Sequence, residues 1–394
     1  MQRRPRWSAL ASLLLVNAIF AADSIVELRT KAEAGDSEAQ FRLGFYYDLG
    51  EGVLQNSAEA VNWYRKAADQ AHARAQAKLG SMYEVGEGVP KKKEEARLWF
   101  RKAADQGLAE AQFELGSRFE KGIERWFRAA ANGGHPGAQY ELGGIYYRMG
   151  QPAARQQAAA WFRKAADQGH SDAQLHLGLM CFWGQGVPQD YAEAMKWYRR
   201  AAEQGNVRAL RNLGTLYAEG QGVPKDSTES AKWYRQAAEF GDAQSQATLG
   251  LMLARGDGVP KDATEAVRWV RLAAEQNYAT AQYDLASFYA RGEGTAKDDA
   301  MAATWYRHAA EQDHTPSQYE LGLLYSSGVG VPRDVVQALL WLNLAHRPWA
   351  PNGVPKAKEV IDRLWLTATA EQKAEQARLK TAMEAKIEAN RPKK

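Results

Sequence analysis

Residues 209–244 read ALRNLGTLYAEGQGVPKDSTESAKWYRQAAEFGDAQ, and the fold class follows from that stretch. Ala209, Leu213-Gly214 and Tyr217 recur at offsets 1, 5–6 and 9, which is one face of a helix. Gly220-Gln221-Gly222-Val223-Pro224 ends that helix, because glycine accepts the left-handed terminal turn and proline cannot continue the hydrogen-bond ladder. Asp226, followed three residues later by Glu229, is a capping-box pattern that starts a second helix. The second helix carries Ala231, Trp233-Tyr234 and Ala237-Ala238, and it stops at Gly241. Its alanines allow close approach, and its tryptophan supplies apolar area for packing on the next hairpin.

The same unit recurs along the chain. Of 13 tryptophans, nine stand in one register: Trp63, Trp99, Trp126, Trp161, Trp197, Trp233, Trp269, Trp305 and Trp341. Their spacings are 36, 27, 35 and then 36 throughout. Equivalent units begin at Ala39, Ala75, Ala111, Ala138, Ala173, Ser245, Ala281 and Ser317. Asp190 with Glu193 and Asp262 with Glu265 repeat the capping pattern. A fixed period of this length predicts stacked hairpins that share a continuous core, since one hairpin buries too little to fold alone.

These residues resemble the Sel-one-like repeat family, relatives of the tetratricopeptide repeats. The resemblance rests on Ala-x-x-x-Leu-Gly-x-x-Tyr, Gly-x-Gly-Val and Trp-Tyr/Phe followed by Ala-Ala, and covers residues 39–346. It implies an all-α, right-handed α/α superhelical solenoid of about nine two-helix repeats, working as an adaptor or scaffold. Residues 22–38 are expected to form an N-terminal capping helix, and 347–394 two capping helices with a basic tail. Thr369-x-x-Gln372 opens the last helix, and Leu379, Met383 and Ile387 line one of its faces.

At the start, Arg3, Arg4 and Arg6 precede the apolar stretch Ser8 to Phe20, then Ala21 and Ala22. That order predicts a signal peptide over 1–21, too short in its apolar part for a membrane span. An uncleaved anchor is the alternative. Loss of the three arginines lowers the formal charge from +4 to +1, which offers no global attraction to nucleic acid or anionic lipid. The expectation is a periplasmic or secreted protein of a bacterial envelope. With Cys181 as its one cysteine, the chain makes no internal disulfide.

No catalytic, cofactor or metal site is expected. His72, His135, His170 and His314 each follow a register tryptophan by nine residues. Repeats stack at about 10 Å, whereas zinc ligands sit about 2 Å from the metal, so a row of this kind forms no site by itself. The reading for these histidines is a turn residue beside a helix end. Cys181 occupies the position of the repeat tyrosine and reads as core. The Gly-x-Gly stretches lack the strand before and the Lys-Ser/Thr after that a phosphate loop requires.

The third unit is nine residues short: Phe119 is followed closely by Trp126-Phe127, with no Gly-x-Gly-Val-Pro. Loss of the turn and of the start of its second helix predicts either a tolerated deletion or a crease that shapes a groove over 115–160. First-helix offsets 4, 7 and 11 vary between units and are expected to face a partner protein or extended peptide. Trp183, off the tryptophan register, with Phe182, Tyr147 and Arg148, is the expected hot spot, because interfaces favour Trp, Tyr and Arg; the alternative is a tryptophan that fills space left by the short third unit. His176, Arg255 and Arg291 extend this candidate set. The competing reading is a cell-wall hydrolase or carbohydrate binder, which requires groove carboxylates about 5–10 Å apart.

Overall fold

The computed structural model describes residues 25–119, 123–346 and 354–390. The expected signal peptide and the basic tail after 390 lie outside the described residues. Those described form 21 helices and no strand, within two compact units, Met1–Gln189 and Asp190–Lys394.

In the first unit α1 (Ile25–Glu33) buries Leu28 and Ala32 against the first repeat. The hairpins α2 (Ser37–Leu49) and α3 (Ser57–Asp69), then α4 (Ala73–Val85) and α5 (Lys93–Asp105), follow. Next come α6 (Ala109–Arg118) with α7 (Ile123–Asn132) and α8 (Pro136–Met149) with α9 (Pro152–Asp167). Helix α10 (Ser171–Trp183) completes this unit.

The second unit opens with α11 (Tyr191–Glu203), then α12 (Val207–Glu219) with α13 (Ser227–Glu239) and α14 (Ala243–Arg255) with α15 (Ala263–Glu275). It continues through α16 (Ala279–Arg291) with α17 (Asp299–Ala310) and α18 (Thr315–Ser327) with α19 (Val335–Ala345). Helices α20 (Ala357–Thr367) and α21 (Ala370–Asn390) close it. Leu379 and Met383 pack on Tyr306, Leu340 and Trp341 of the last repeats, and Lys386 pairs with Glu311 at 2.9 Å. The Thr369–Gln372 box is reciprocal, with bonds of 2.9 and 3.2 Å.

In several hairpins the Leu-Gly glycine makes room for the ring that follows the tryptophan, and in two others for Val270 or Leu342 in its place. A Cβ on Gly44 would come 2.8 Å from the Tyr64 ring, and one on Gly143 would come 2.8 Å from Phe162. This second aromatic is the deeper of the two rings: Tyr64 is 0% exposed against 8% for Trp63, and Phe162 is 1% exposed. The register tryptophans sit nearer the edge, and Trp233, Trp269 and Trp305 are half-buried. Basic side chains one turn on cover several of them, with Lys66 Nζ 3.8 Å from the Trp63 ring and Lys102 Nζ 3.9 Å from Trp99.

The two glycines of the turn do different things. Gly256 ends α14 at φ +77°, its N–H donating to Met252 O at 2.8 Å. Gly258 lies against the start of α13 in the preceding repeat, where a Cβ would meet the Ser227 carbonyl at 2.2 Å. Gly88 sits on Ser57 in the same way in the first unit. One glycine therefore caps a helix, and its neighbour lets the turn dock on the repeat before.

Capping is correct in its first half only. Asp190, Asp226 and Asp262 accept the amides of Glu193, Glu229 and Glu265 at 2.8–3.0 Å. The glutamates do not all reach back: Glu193 accepts from Trp197 Nε1 at 2.9 Å, and Glu265 from Trp269 Nε1 at 3.0 Å. The cap amides of Asp226 and Asp262 already donate to Tyr217 O and Leu253 O, so at Asp262 the glutamate serves the indole and not the cap.

In the short third repeat the described parts of both helices, α6 and α7, have 10 residues against 13 in the regular hairpins, with residues 120–122 outside the described set. In the fourth repeat the turn is replaced by helix: α9 runs for 16 residues from Pro152, which suits a first helical position.

Candidate functional site

The first-helix face is built from what packing leaves over. Offset 1 is buried against the preceding repeat, and offset 9, the repeat tyrosine, is held by an arginine 18 residues earlier. Arg199 donates to Tyr217 at 2.6 Å and Arg271 to Tyr289 at 2.9 Å, with Arg65 on Tyr83 equivalent. Offset 2 carries a role the sequence reading missed. Gln76 Nε2 donates to Ala68 O at 3.0 Å, while its Oε1 accepts from Gln106 at 2.7 Å. Gln139, Gln246 and Gln282 make the same pair of bonds. Their recurrence in register was the available signal.

The histidines are structural caps. Nδ1 of His72, His135, His170 and His314 accepts the amide three residues on, at 3.2–3.4 Å. Each ring also lies on an aromatic of the preceding first helix, as His135 does on Phe113 at 4.5 Å and His170 on Tyr140 at 4.8 Å. Asp36, Asn206 and Asp242 cap equivalent helices by side-chain oxygens. Burial pushes His135, His170 and His314 below the ordinary histidine value. Among the described residues no group of three or more His, Cys, Asp or Glu is placed to hold a metal ion. Cys181 is buried.

The candidate partner residues of the first unit make separate contacts among the described residues. Trp183 is 63% exposed at the end of α10 and meets Phe182 edge-on at 4.7 Å. Tyr147 donates instead to Gln185 Oε1 at 2.5 Å. His176 is half-buried, with its ring stacked on Phe162 at 5.3 Å and edge-on to Tyr140 at 5.4 Å. Arg148 is exposed on α8, and no cation–π contact joins it to Trp183 among the described residues. The second unit holds Arg255 and Arg291, which flank Asp284 electrostatically; Arg291 Nε donates to Ser287 O at 3.2 Å. Burial nevertheless raises the Asp284 carboxyl to about 6.

A cleft of about 300 Å³ lies elsewhere in the first unit, across α2, α4 and α6. Phe41, Met82 and Phe100 are its apolar lining, and Asp48, Arg74, Lys78, Glu87, Glu110 and Glu114 its charges. Burial raises Asp48, Glu110 and Glu114; Lys78 opposes this at Asp48, Lys78 and Arg74 at Glu110, and Arg118 at Glu114. Glu114 is paired with Arg118 at 2.8 Å, which also pairs with Glu84 at 2.6 Å. A smaller cleft, about 200 Å³, lies on the first-helix face of the second unit and includes Thr248, Leu251 and Arg255. Offsets 4, 7 and 11 line both clefts: Lys78, Ser81 and Val85 in one, Thr248, Leu251 and Arg255 in the other. The convergence of Asp48 and Glu110 with these offsets was missed, because they come from the repeats on either side.

Among the described residues no helix is long and apolar enough to cross a membrane. No curated protein matches the sequence. Among solved structures, the chain is similar to a protective antigen present in uropathogenic Escherichia coli strains and displaying an SLR fold. Identity is 30%, 95% of this chain and 98% of that one are covered, and the TM-score is 0.51. A Sel1 repeat protein from Oxalobacter formigenes is 28% identical, with 86% and 90% covered and a TM-score of 0.49. The family model described as Sel1 repeat matches nine successive segments: 37–72, 73–108, 109–135, 136–170, 171–206, 207–242, 243–278, 279–314 and 315–345. Nine matches spanning most of the sequence establish that the chain belongs to the Sel1 repeat family, whose members are generally protein–protein interaction scaffolds.

Proposed function

We propose that this chain is an exported scaffold that docks a protein partner, or an extended segment of one, along its first-helix face. The observation that carries the reading is the division of labour within α4 and α14. In-register positions pack, whereas offsets 4, 7 and 11 reach clefts and differ in chemistry from repeat to repeat. Such a surface selects a partner by its pattern of side chains, and the same architecture serves unrelated partners. No reaction is assigned to it. Export rests on the order of basic, apolar and small residues over 1–21, and the similarity to a protective antigen is compatible with it.

Trp183, Phe182, Tyr147, Arg148, His176, Arg255 and Arg291 remain the proposed contact residues. Photo-crosslinking from exposed first-helix positions, compared with second-helix positions such as Leu272, tests the reading in the native host. Specific adducts from the first-helix positions alone are expected. Equal labelling from both faces would remove it. Fractionation of the host decides the export part separately.

A further inference from the structure

We infer that the cleft across α2, α4 and α6 receives a basic side chain, lysine or arginine, from an extended segment of the protein partner; this rests on the scaffold reading above.

The cleft is not a bare acidic cluster. It has a volume of about 300 Å³ and an apolar lining of Phe41, Ala77, Met82 and Phe100. That is the lower end of pocket volumes, which suits one long side chain with its neighbour better than a globular ligand. A lysine or arginine stem lies on apolar surface while its head stays in a polar environment. The charges present favour that head. Four carboxylates, Asp48, Glu87, Glu110 and Glu114, face two cations, Arg74 and Lys78. Glu114 is already paired with Arg118, and Ser57 and Tyr64 donate to Glu87 and Asp48 over 3.3 Å. Among the described residues Glu110 has no ion-pair partner within 4 Å, and Lys78 and Arg74 act on it only electrostatically.

Burial disfavours ionisation of Asp48, Glu110 and Glu114 more than the nearby cations restore it. An incoming cation reverses that imbalance, and an incoming carboxylate worsens it. Val85, at the rim, is 67% exposed and offers a contact for an apolar residue beside the basic one.

The test uses the full chain and short fluorescent peptides whose centre is Leu-Arg-Leu, Leu-Gln-Leu or Leu-Glu-Leu, titrated by anisotropy at low salt. The arginine peptide is expected to bind about 10-fold or more tighter than the glutamate peptide, consistent with close interfacial charge pairs. Glu110→Gln should weaken it several-fold, with circular dichroism confirming the fold. Lys78→Ala should tighten it, a gain that misfolding cannot imitate.

Equal or stronger binding of the glutamate or glutamine peptide overturns the inference and leaves the scaffold reading standing. Weaker arginine-peptide binding by Lys78→Ala, or no binding of any peptide, also overturns it. Spermine competing equally against peptides with and without the leucines would assign the cleft to a free amine, which again overturns the peptide occupant. The crosslinking experiment above decides the scaffold reading on its own.

Discussion

Gln76 donates to Ala68 O at 3.0 Å across the junction of the first and second repeats, and accepts from Gln106, at the end of its own repeat's second helix, at 2.7 Å. Gln76 is 4% exposed, so the amide is a buried connection between one repeat's second helix and the next repeat's first. Its removal takes the side-chain donor from Ala68 O, which keeps the Ala71 amide at 3.0 Å. The expected cost of Gln76→Leu is about 0.5–1.5 kcal/mol. Gln76→Glu should cost more, because a buried carboxylate would face the Ala68 carbonyl. Thermal melts of the two variants check the order. The sixth repeat carries Leu210 at this position, buried, which places Gln76→Leu within what the architecture tolerates.

The docking role of Gly258 is separable by mutation from the cost of its left-handed backbone, for which Gly205, after α11, is the reference. Gly205 has φ +78° with nothing within 4 Å of an added Cβ, whereas Gly258 has φ +70° with Ser227 C and O at 2.2 Å. Gly205→Ala should show the left-handed backbone cost alone, about 1–2 kcal/mol. Gly258→Ala adds overpacking against a backbone that cannot rotate away, about 1–3 kcal/mol more. Equal shifts in melting temperature would mean that the turn does not dock on the preceding repeat as described.

The imidazole caps make stability depend on pH. Nδ1 can accept an amide only while unprotonated, and burial holds His135, His170 and His314 below their ordinary value. A depressed folded-state value means that the unfolded chain takes up protons first as pH falls. The caps' contribution is therefore complete above the unfolded value of about 6.5, and is lost as pH falls toward the folded values. Asn206 performs the same cap at 3.2 Å without titrating. His135→Asn with His170→Asn should therefore keep the melting temperature at pH 8 and flatten its decline between pH 6.5 and 5. An unchanged decline would show that these two rings do not carry it.

Much of the architecture was legible because its signals are local. Helix ends are written in Gly220 and Gly256, helix starts in Asp226 and Asp262, and the period in the tryptophans. Each is a demand of one residue on a backbone within four positions. The missed features are those whose partners lie in another helix or another repeat. Gln76 reads as a surface residue until Ala68 of the preceding repeat and Gln106 at the end of the next helix close on it. Gly222 reads as part of a turn until Tyr191 of the preceding repeat limits it to 2.8 Å. The cleft was illegible for the same reason. Asp48, Lys78 and Glu110 belong to three repeats, and only stacking brings them together. The tryptophan register also concealed that the next ring, Tyr64 or Phe162, is the deeper one.

Trp183 allows surface function to be measured apart from stability. Its ring is 63% exposed, and the ring contact recorded for it is the edge of Phe182 at 4.7 Å. Truncating an exposed side chain away from caps and ion pairs changes stability by about 0.5 kcal/mol or less. Phe162, 1% exposed against Gly143, should by contrast cost about 3–5 kcal/mol on truncation. Trp183→Ala is therefore expected to melt with the parent chain, while Phe162→Ala melts far below it. If Trp183 is an interface anchor, its loss should weaken the captured partner by about 2 kcal/mol or more, roughly 30-fold in affinity. A melting temperature lowered to near that of Phe162→Ala would show that the indole supports the stack, and unchanged affinity would strike it from the contact surface.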